Sequence, residues 1–489
     1  MSSVPPVPDR RRWLALAVVM TASLMDLVDV TIVNIAMPSI QRETGASFSQ
    51  LQWITAGYAL AFAVGLITGG RLGDIHGRKR LFLVGITGFT LASALCGLAT
   101  GPEMLVASRV LQGGTAALMV PQVLAIIHAT FPAEERGKVF GMFGAMVGLG
   151  AVLGPLLGAV LTEWDFLGLG WRPIFLVNLP IGLAGLLLGL RYVDESRSPR
   201  ALKLDLLGMV LATTALLMLL YPLTQGRENG WPLWGFALMA GSVPVFGLFL
   251  AYEKAKVRRD GSPLVELSLF KVRSFAAGIG VQLTFGVVMG IFFLVWTLYM
   301  QLGLGWSPLR AGLTGVPFSL AVSAAAGMSV QKLVPRFGRR VLQAGAGVMA
   351  VGALLYLAEA SYYGTAIHPW QMALPMVVMG AGMGLVVAPL TDAVLSEVPQ
   401  EHAGSASGLV NTTQQLGVAL GLGLSSVAFF GVVDAGGPLG LAFVHAFTHS
   451  MWWVAGGLAA VFLLMFALPG RGAAASAAGG AADRELVSV

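Results

Sequence analysis

Gly70-Arg71-Leu72-Gly73-Asp74-Ile75-His76-Gly77-Arg78-Lys79-Arg80-Leu81 separates two long apolar runs of the sequence, residues 51–71 and 81–100. Both runs are long enough, and carry few enough charges, to predict helices that span a membrane. A short basic turn between two such spans is typical of the cytoplasmic side of a bilayer. The stretch therefore predicts a membrane protein whose chain turns here on the cytoplasmic side.

The composition agrees with a polytopic membrane protein. Of 489 residues, 56% are hydrophobic and 11% are charged, with a mean hydropathy of +0.79. A soluble domain averages about 25% charged residues. The net charge of +6 does not indicate a nucleic-acid partner, because the basic residues lie in short loops rather than on one face. The single cysteine, Cys96, excludes an intrachain disulfide.

The apolar runs predict an all-α fold of roughly fourteen spans. The first span is expected at residues 13–37, before Pro38, and the acids within it and its length argue against a cleaved signal peptide. Residues 1–9 and the Ala/Gly-rich residues 470–489 are predicted to be disordered. Most Lys and Arg residues fall in alternate loops, which by the positive-inside rule predicts that both termini are cytoplasmic.

The two ends of the chain resemble each other. The stretch 72–81 recurs at 333–342 with Pro335 in place of Asp74, and the spacing Pro-x-Glu-x-x-Gly-x-x-x-Gly of 132–141 recurs at 399–408. Two six-helix halves related by a parallel repeat are typical of secondary transporters. The predicted parts are an N-terminal six-helix half at 1–195, an inserted two-helix linker at 196–272 and a C-terminal six-helix half at 273–489.

Asp26 and Asp29 lie inside the predicted first span, three residues apart and therefore on one helix face. An ionised carboxylate in hydrocarbon is costly unless it is paired or wetted, so both acids are expected to face the bundle or a water-filled cavity. Two close carboxylates shielded from water disfavour full ionisation of both, which suits proton exchange near neutral pH. The alternative is a static ion pair that only stabilises the fold.

Arg109 is the only basic residue deep within a predicted span of the N-terminal half. At about 1.5 Å per residue, it lies about 9 Å from the start of its span, and Asp29 lies about 13 Å from the end of the first span. Because these depths match, Arg109 is expected to pair with Asp29 or to reach Gln112 on its own helix. Arginine cannot deprotonate, so it would hold an acid ionised until a proton or cationic substrate competes. A purely structural arginine is the alternative.

A glycine motif, Gly150-x-x-x-Gly154-Pro155-x-x-Gly158, lies in the predicted fifth span. Glycines four residues apart leave a smooth groove that another helix can approach closely. Pro155 frees the carbonyl four residues back and permits a bend. The motif predicts close packing of this span against a neighbour.

These motifs resemble those of the major facilitator superfamily. The stretch 70–81 is similar to the signature that this superfamily has between helices 2 and 3. Residues 27–38 (Leu-Val-Asp-Val-Thr-Ile-Val-Asn-Ile-Ala-Met-Pro) and residues 171–182 resemble the first and sixth spans of its fourteen-spanner drug:proton antiporters, the EmrB/QacA-type exporters. The Gly-Pro motif of the fifth span resembles one found in exporter branches, with Ala159 in place of the usual final glycine. The resemblance extends over nearly the whole chain.

The resemblance implies proton-driven export by alternating access, with the substrate cavity between the two halves. It implies that Asp29 is the membrane-embedded acid and that Arg109, with Gln112 in the same helix 4 motif, is its partner. Asp26 has no counterpart in the usual motif. The fold implied is a major facilitator fold of two six-helix halves with an inserted helix pair.

A cytoplasmic gate is predicted at Gly70, Asp74, Gly77 and Arg78. An acid at the end of the second span suits the N-terminus of another helix, where free amides and the helix dipole favour negative charge. The repeat points to the helix that begins near Gly404. Asp74 is expected to dock there only when the cytoplasmic side is closed.

Three residues of the C-terminal half, Gln282, Asn411 and Gln414, are polar side chains within predicted spans that could face the cavity. The sequence contains no His/Cys cluster with metal-ligand spacing, so no metal is expected.

The predicted function is proton-coupled efflux of a lipophilic drug or antibiotic across the inner (cytoplasmic) membrane. The proton-motive force would drive it without a cofactor, and the chain is expected to act as a monomer whose partners are substrate, protons and the lipid bilayer. One alternative is an uptake symporter of a small organic solute, against which the Gly-Pro motif argues. Another is a membrane receptor or enzyme, although the sequence lacks a Gly-x-Ser-x-Gly motif and a phosphate-binding loop. The substrate, and which acid couples, stay open.

Overall fold

A computed structural model describes residues 9–164, 168–198, 203–395, 398, 403–433 and 439–468. The ends predicted to be disordered, 1–9 and 470–489, lie outside these ranges except for Asp9, at which the first helix begins. Within the described ranges the chain is helical, with short 3₁₀ and π-helical turns, which confirms the predicted all-α fold.

Fourteen helical segments make up the described chain, some of them interrupted or extended by such turns. They are α1 (Asp9–Thr44), α2 (Phe48–His76), α3 (Arg78–Gly97), α4 (Pro102–Thr130), α5 (Ala133–Glu163), α6 (Pro173–Tyr192, broken at Val177), α7 (Leu206–Gln225), α8 (Leu233–Asp260), α9 (Arg273–Leu298), α10 (Pro308–Phe337, with breaks), α11 (Arg340–Tyr363), α12 (Pro369–Leu395), α13 (Ala403–Ser425) and α14 (Leu439–Leu464).

These helices are suited to a membrane. Among the described residues, 13 helices are long and apolar enough to cross one. The remaining helix, α5, has 31 residues and includes the shorter apolar stretch Leu153–Glu163. The chain is thus a multi-pass membrane protein.

The first helix is longer than the sequence predicts. The predicted span ends before Pro38, whereas the helix α1 continues to Thr44. A proline inside a helix removes only its own N–H bond to the carbonyl four residues back. The backbone still closes the last turn, since Gly45 N–H donates to the Gln41 carbonyl at 2.9 Å, and the Thr44 hydroxyl adds a bond to the Ile40 carbonyl at 2.6 Å.

The chain forms two compact units. One contains Met1–Leu264 together with Trp306–Leu313, and the other contains Val265–Gly305 and Thr314–Val489. The inserted pair, α7 and α8, belongs to the first unit, where the two helices pack on each other. The finer predicted division at residues 195 and 272 stays a prediction.

The same helix pairing occurs inside each unit. In the first unit α4 packs on α2 and α3, α1 packs on α5 and α6, and α3 packs on α6. In the second unit α12 packs on α11 and on the Val316–Met328 part of α10, α9 packs on α13 and α14, and α11 packs on α14. This helix-for-helix correspondence is what a parallel internal repeat requires.

Glycines bring α9 and α13 together in the second unit. A Cβ at Gly286 would lie 2.7 Å from the Gln414 carbonyl oxygen, and one at Gly417 would lie 2.5 Å from the Leu283 carbonyl oxygen. Gly290 and Gly421 repeat the contact one turn along. Any larger residue would force the two backbones apart, so these helices cross at their glycines.

Helix α2 is tied to the inserted pair at both of its ends. At the Phe48 end, the Glu228 carboxylate accepts hydrogen bonds from the Ser49 backbone N–H at 2.9 Å and from the hydroxyls of Ser47 and Ser49 at 3.1 and 2.6 Å. Glu228 lies in the α7–α8 loop. It therefore caps α2 where free amides and the helix dipole favour a negative charge.

At the His76 end, the buried Arg71 makes the second connection. Its guanidinium donates to the backbone carbonyls of Lys203 at 3.1 Å and Ser262 at 3.2 Å, and to that of Pro263. Lys203 precedes α7, and the other two residues follow α8. The insert is thus bonded to one helix at two distant points.

Two clusters of buried apolar side chains form the core of the first unit. One is built around Phe82, Phe89 and Met119, and the other around residues such as Ile54 and Trp171. Along α1, the buried apolar residues up to Met25 belong to the first cluster and those from Val28 onward belong to the second. Both acids of α1 therefore lie where the two apolar clusters meet.

Candidate functional site

Asp29 and Arg109 form an ion pair in the interior of the first unit. Arg109 Nη1 lies 2.5 Å from Asp29 Oδ2, and both side chains are 0% exposed. The pair joins α1 to α4, and Asp29 is one of the two partners that the sequence predicts for Arg109. A buried ion pair is tolerated only when further hydrogen bonds satisfy the charged groups.

Asp29 receives those further bonds from two amides. Gln112 Nε2 donates to Asp29 Oδ1 at 3.0 Å, and Asn178 Nδ2 donates to the same oxygen at 2.7 Å. With the bond from Arg109, three side-chain donors from α4 and α6 surround one carboxylate. These bonds supply the partners that a carboxylate shielded from water requires.

Arg109 is held from several sides. Its Nε donates to the Ile54 carbonyl of α2 at 3.1 Å, and its Nη1 also donates to Gln112 Oε1 at 2.6 Å. Its guanidinium carbon lies 4.2 Å from the centre of the Tyr58 ring. Its buried Nη2 has no hydrogen-bond acceptor in the described part of the chain. The cation is therefore fixed in place, with the two N–H bonds of Nη2 unused within the described residues.

Asp26 has a different environment from Asp29. It is partly exposed, and the Tyr58 hydroxyl of α2 donates to its Oδ1. The sequence predicts that both acids project from one face of α1. The structure places Asp29 against α4 and α6 and Asp26 against α2, one turn away.

Sequence reasoning missed the roles of Asn178, Ser93 and Tyr58. Asn178 begins the main part of α6 after the break at Val177 and also donates to Ser93 Oγ at 3.0 Å. Ser93 in turn donates to the Phe175 carbonyl at 2.9 Å. The available signal was an asparagine well inside an apolar span, where an amide needs a partner.

The glycine motif of α5 packs against the acid-bearing part of α1. A Cβ at Gly150 would lie 2.5 Å from Leu27, and one at Gly158 would lie 2.9 Å from Ile32. Between them, Gly154 faces Thr31. The predicted close approach is therefore present, and Pro155 lies inside α5 next to it. The motif sets the position of α1 on both sides of Asp29.

The predicted gate residues lie apart from this cluster, at the junction of α2 and α3. Arg78 donates to Asp74 Oδ1 through Nε at 3.1 Å and Nη2 at 2.9 Å. Gly77 has a φ of 115°, which favours glycine, and a Cβ there would lie 2.5 Å from the Glu195 carboxyl carbon. Gly70 has no such constraint, since a Cβ would lie 3.7 Å from Pro121. Docking of Asp74 near Gly404 stays a prediction.

The candidate cavity residues of the second unit lie on two packed helices. Gln282 is buried in α9, Gln414 is partly buried in α13, and Asn411 is exposed on α13. Their role in a cavity stays a prediction. Among the described residues, no group of three or more His, Cys, Asp or Glu side chains is arranged to hold a metal ion.

A repeated helical fold with a buried charge cluster defines a polytopic secondary transporter. The chain belongs to the Major Facilitator Superfamily, whose family model matches residues 19–422. The resemblance to its drug exporters is confirmed by the relatives described next.

The chain is 45% identical over 430 residues to a probable actinorhodin transporter of Streptomyces coelicolor, covering 88% of this chain and 74% of that protein. It is 36% identical to the puromycin resistance protein pur8 of Streptomyces alboniger, covering 88% of this chain and 84% of that one. It is 35% identical to the tetracenomycin C resistance and export protein of Streptomyces glaucescens, covering 85% and 76%.

Solved structures share the fold at low sequence identity. A D-xylose–proton symporter superposes with a TM-score of 0.65 at 16% identity, covering 94% of this chain and 98% of that chain. An auto-inhibited peptide transporter of the POT family gives a TM-score of 0.67 at 16% identity, covering 94% and 96%.

Proposed function

We propose that this protein exports a lipophilic antibiotic or drug across the cytoplasmic membrane in exchange for protons. It acts as a monomer by alternating access, with both termini in the cytoplasm, and is driven by the proton-motive force without a cofactor. The observation that carries the proposal is the pair of acids on α1, one locked in a buried ion pair and the other partly exposed. Relatives named for antibiotic export and resistance support the choice of substrate class.

The two acids have different roles in this proposal. Asp29 accepts bonds from Arg109, Gln112 and Asn178 and is fully buried, so it serves as the fixed counter-ion of Arg109. Asp26 has the Tyr58 hydroxyl as its hydrogen-bond donor and is partly exposed, so protons and substrate can reach it. Asp26 is therefore the group that gains and loses the transported proton.

Competition for one carboxylate couples the two movements. Ionised Asp26 attracts a cationic or hydrogen-bond-donating substrate, whereas protonated Asp26 has no charge to offer it. A proton that arrives from outside displaces the substrate, and a substrate that arrives from the cytoplasm displaces the proton. Arg109 and Asp29 together carry no net charge. The net charge of this group of side chains therefore changes only when Asp26 gains or loses its proton. Tyr58 contacts Asp26 and Arg109 alike.

Export rather than uptake is supported by α5. Its glycines let α5 pack closely against the part of α1 that carries both acids. The glycine motif with Pro155 resembles a motif of exporter branches. An uptake symporter would move substrate and proton in the same direction, which the experiment below distinguishes.

Proton movement in inside-out membrane vesicles tests the proposal. Vesicles with an acidic lumen would contain wild-type protein, Asp26→Asn, Asp29→Asn or the control Glu43→Gln, whose carboxylate lies in an exposed pair with Arg172. Ethidium, tetraphenylphosphonium and a panel of antibiotics would be added. Wild type and the control should release protons from the lumen on drug addition, and Asp26→Asn should not, although it accumulates in the membrane as a folded protein.

Other outcomes would contradict defined parts of the proposal. Loss of proton release in Asp29→Asn alone, with Asp26→Asn unaffected, would assign the transported proton to Asp29. Proton uptake into the lumen together with the drug would indicate symport. Drug accumulation that is unaffected by a protonophore would rule out proton coupling.

A further inference from the structure

An open groove runs along the first unit between α1 and α6. It has a cavity volume of about 410 Å³, within the range of ligand sites. Its walls include Leu14, Ala17 and Thr21 of α1 and Ile181, Ala184 and Leu188 of α6. The Thr21 hydroxyl donates to the Ala17 carbonyl at 2.8 Å, so the one hydroxyl among these six residues is satisfied within its own helix. The groove thus presents an apolar surface.

A basic cavity continues the groove at one end. It also has a volume of about 410 Å³, and it is lined by Arg10, Arg11 and Arg191 together with Leu14 and Tyr192, which line both cavities. The three arginines are exposed. Arg11 donates to the Arg191 carbonyl at 3.1 Å and to Asp194 Oδ1 at 3.0 Å, which ties the start of α1 to the end of α6.

The length of the groove matches one leaflet of a bilayer. Along α6, the lining runs from Tyr192 to Pro180, which corresponds to roughly 18 Å of helix at about 1.5 Å per residue. Half of a hydrocarbon core of about 30 Å is roughly 15 Å. The apolar part therefore extends about as far as an acyl chain, which would put the guanidinium groups at the level of the headgroup phosphates.

We propose that this groove and its basic end bind one anionic phospholipid, with an acyl chain between α1 and α6 and the phosphate against Arg10, Arg11 and Arg191. Charge complementarity selects the headgroup, since three guanidiniums are among the described residues that line the basic cavity and one of them, that of Arg11, is paired with Asp194. Basic pockets between helices at the cytoplasmic face are suited to anionic headgroups. The inference uses only the proposed location of the N-terminus and does not depend on proton coupling.

Native mass spectrometry of the full, delipidated protein in detergent tests the site. Palmitoyl-oleoyl phosphatidylglycerol and phosphatidylcholine would be added separately, so that the acyl chains are constant. Wild type should retain phosphatidylglycerol in preference to phosphatidylcholine, with one tight site. Arg10→Gln/Arg191→Gln should weaken phosphatidylglycerol binding roughly 30-fold, as expected for two arginines near a headgroup. The control Arg258→Gln/Arg259→Gln removes the same charge from the exposed end of α8 and should keep the preference.

A second variant tests the acyl-chain part. Ala184→Trp fills the groove at an exposed position and should weaken binding of both lipids by tenfold or more. If that variant does not fold, Ala17→Trp fills the groove from α1 and should weaken binding of both lipids in the same way. Equal retention of the two lipids by wild type would overturn the proposal, as would an unchanged preference in the double arginine variant. A mass of twice the chain that replaces the lipid-bound species would show that the groove is instead a contact between two copies.

Discussion

The Arg109 guanidinium carbon lies 4.2 Å from the ring centre of Tyr58, whose hydroxyl donates to Asp26. One tyrosine of α2 therefore contacts the cation that pairs with Asp29 and the acid one turn away from it. A cation over a desolvated aromatic face contributes about 2 kcal/mol. Tyr58 thus has two separable interactions, one through its ring and one through its hydroxyl.

Tyr58→Phe is expected to keep the ring on Arg109 and to remove the hydrogen bond to Asp26. Drug-dependent proton release should fall by roughly tenfold, comparable to the loss of one hydrogen bond to a charged group. The thermal unfolding temperature in detergent should change little, because Asp26 is partly exposed and can be hydrated. Tyr58→Leu, which also removes the ring, should lower that temperature in addition. If both variants unfold alike and transport alike, the two interactions are not separable.

The buried ion pair should behave differently from an exposed one. Asp29→Asn leaves Arg109 charged in the interior and is expected to reduce the free energy of unfolding by about 3–5 kcal/mol. Asp29→Asn/Arg109→Gln should recover part of that loss, since no unpaired charge remains. The comparison is Asp74→Asn, because Asp74 is 38% exposed in its pair with Arg78 and should cost about 1 kcal/mol or less. Additive losses in the double variant would contradict direct coupling of Asp29 and Arg109.

A methyl group at Gly154 should disturb the contact of α5 with α1. A Cβ there would run into Thr31, so Gly154→Ala is expected to reduce the free energy of unfolding by about 1–3 kcal/mol through overpacking. It should also slow transport, because the displaced segment of α1 carries both acids. Gly247→Ala on α8 is the control, since its Cβ would meet nothing within 4 Å and alanine is the better helix former. Equal effects at both positions would rule out close packing as the reason for Gly154.

Arg71 should be needed for stability far more than its neighbours in the basic turn. Arg71→Gln removes a charged donor from the carbonyls of Lys203, Ser262 and Pro263 and is expected to cost about 3 kcal/mol. Arg80→Gln, at a side chain that is 69% exposed, should change the unfolding temperature little. Limited proteolysis between α6 and α7 offers a second readout, with faster cleavage expected only in the Arg71 variant. Unchanged cleavage would indicate that other contacts hold the insert.

Residue spacing predicted the fold and the central ion pair because membrane thickness restricts both. A span has a fixed minimum length, so apolar runs give the helices, and the depth of Asp29 and Arg109 follows from counting residues. The contact of α5 with another helix followed from its glycines in the same way. Each of these features can be derived from the sequence of a single helix or from the depth of a residue in the bilayer.

The rest of the site depends on rotation and on breaks in helices, which spacing does not determine. Asn178 reaches Asp29 from the helix that resumes after Val177, and the sequence does not mark how that break turns the amide. Tyr58 within α2 resembles any aromatic residue of an apolar span until α1 is placed beside it. The separation of Asp26 from Asp29 likewise arises from the helices that face each acid. Helix ends are also poorly marked, as the continuation of α1 past Pro38 shows.

The two-point attachment of α2 connects the α7–α8 loop to the charge cluster, because α2 contacts both. Glu228 is exposed, yet it is bonded to the helix that also supplies Tyr58 and the Ile54 carbonyl to Asp26 and Arg109. An antibody fragment or cyclic peptide that pulls Glu228 away from Ser49 would loosen that helix without entering any substrate cavity. Such a molecule would bind the α7–α8 loop and would not itself need to resemble a transported compound.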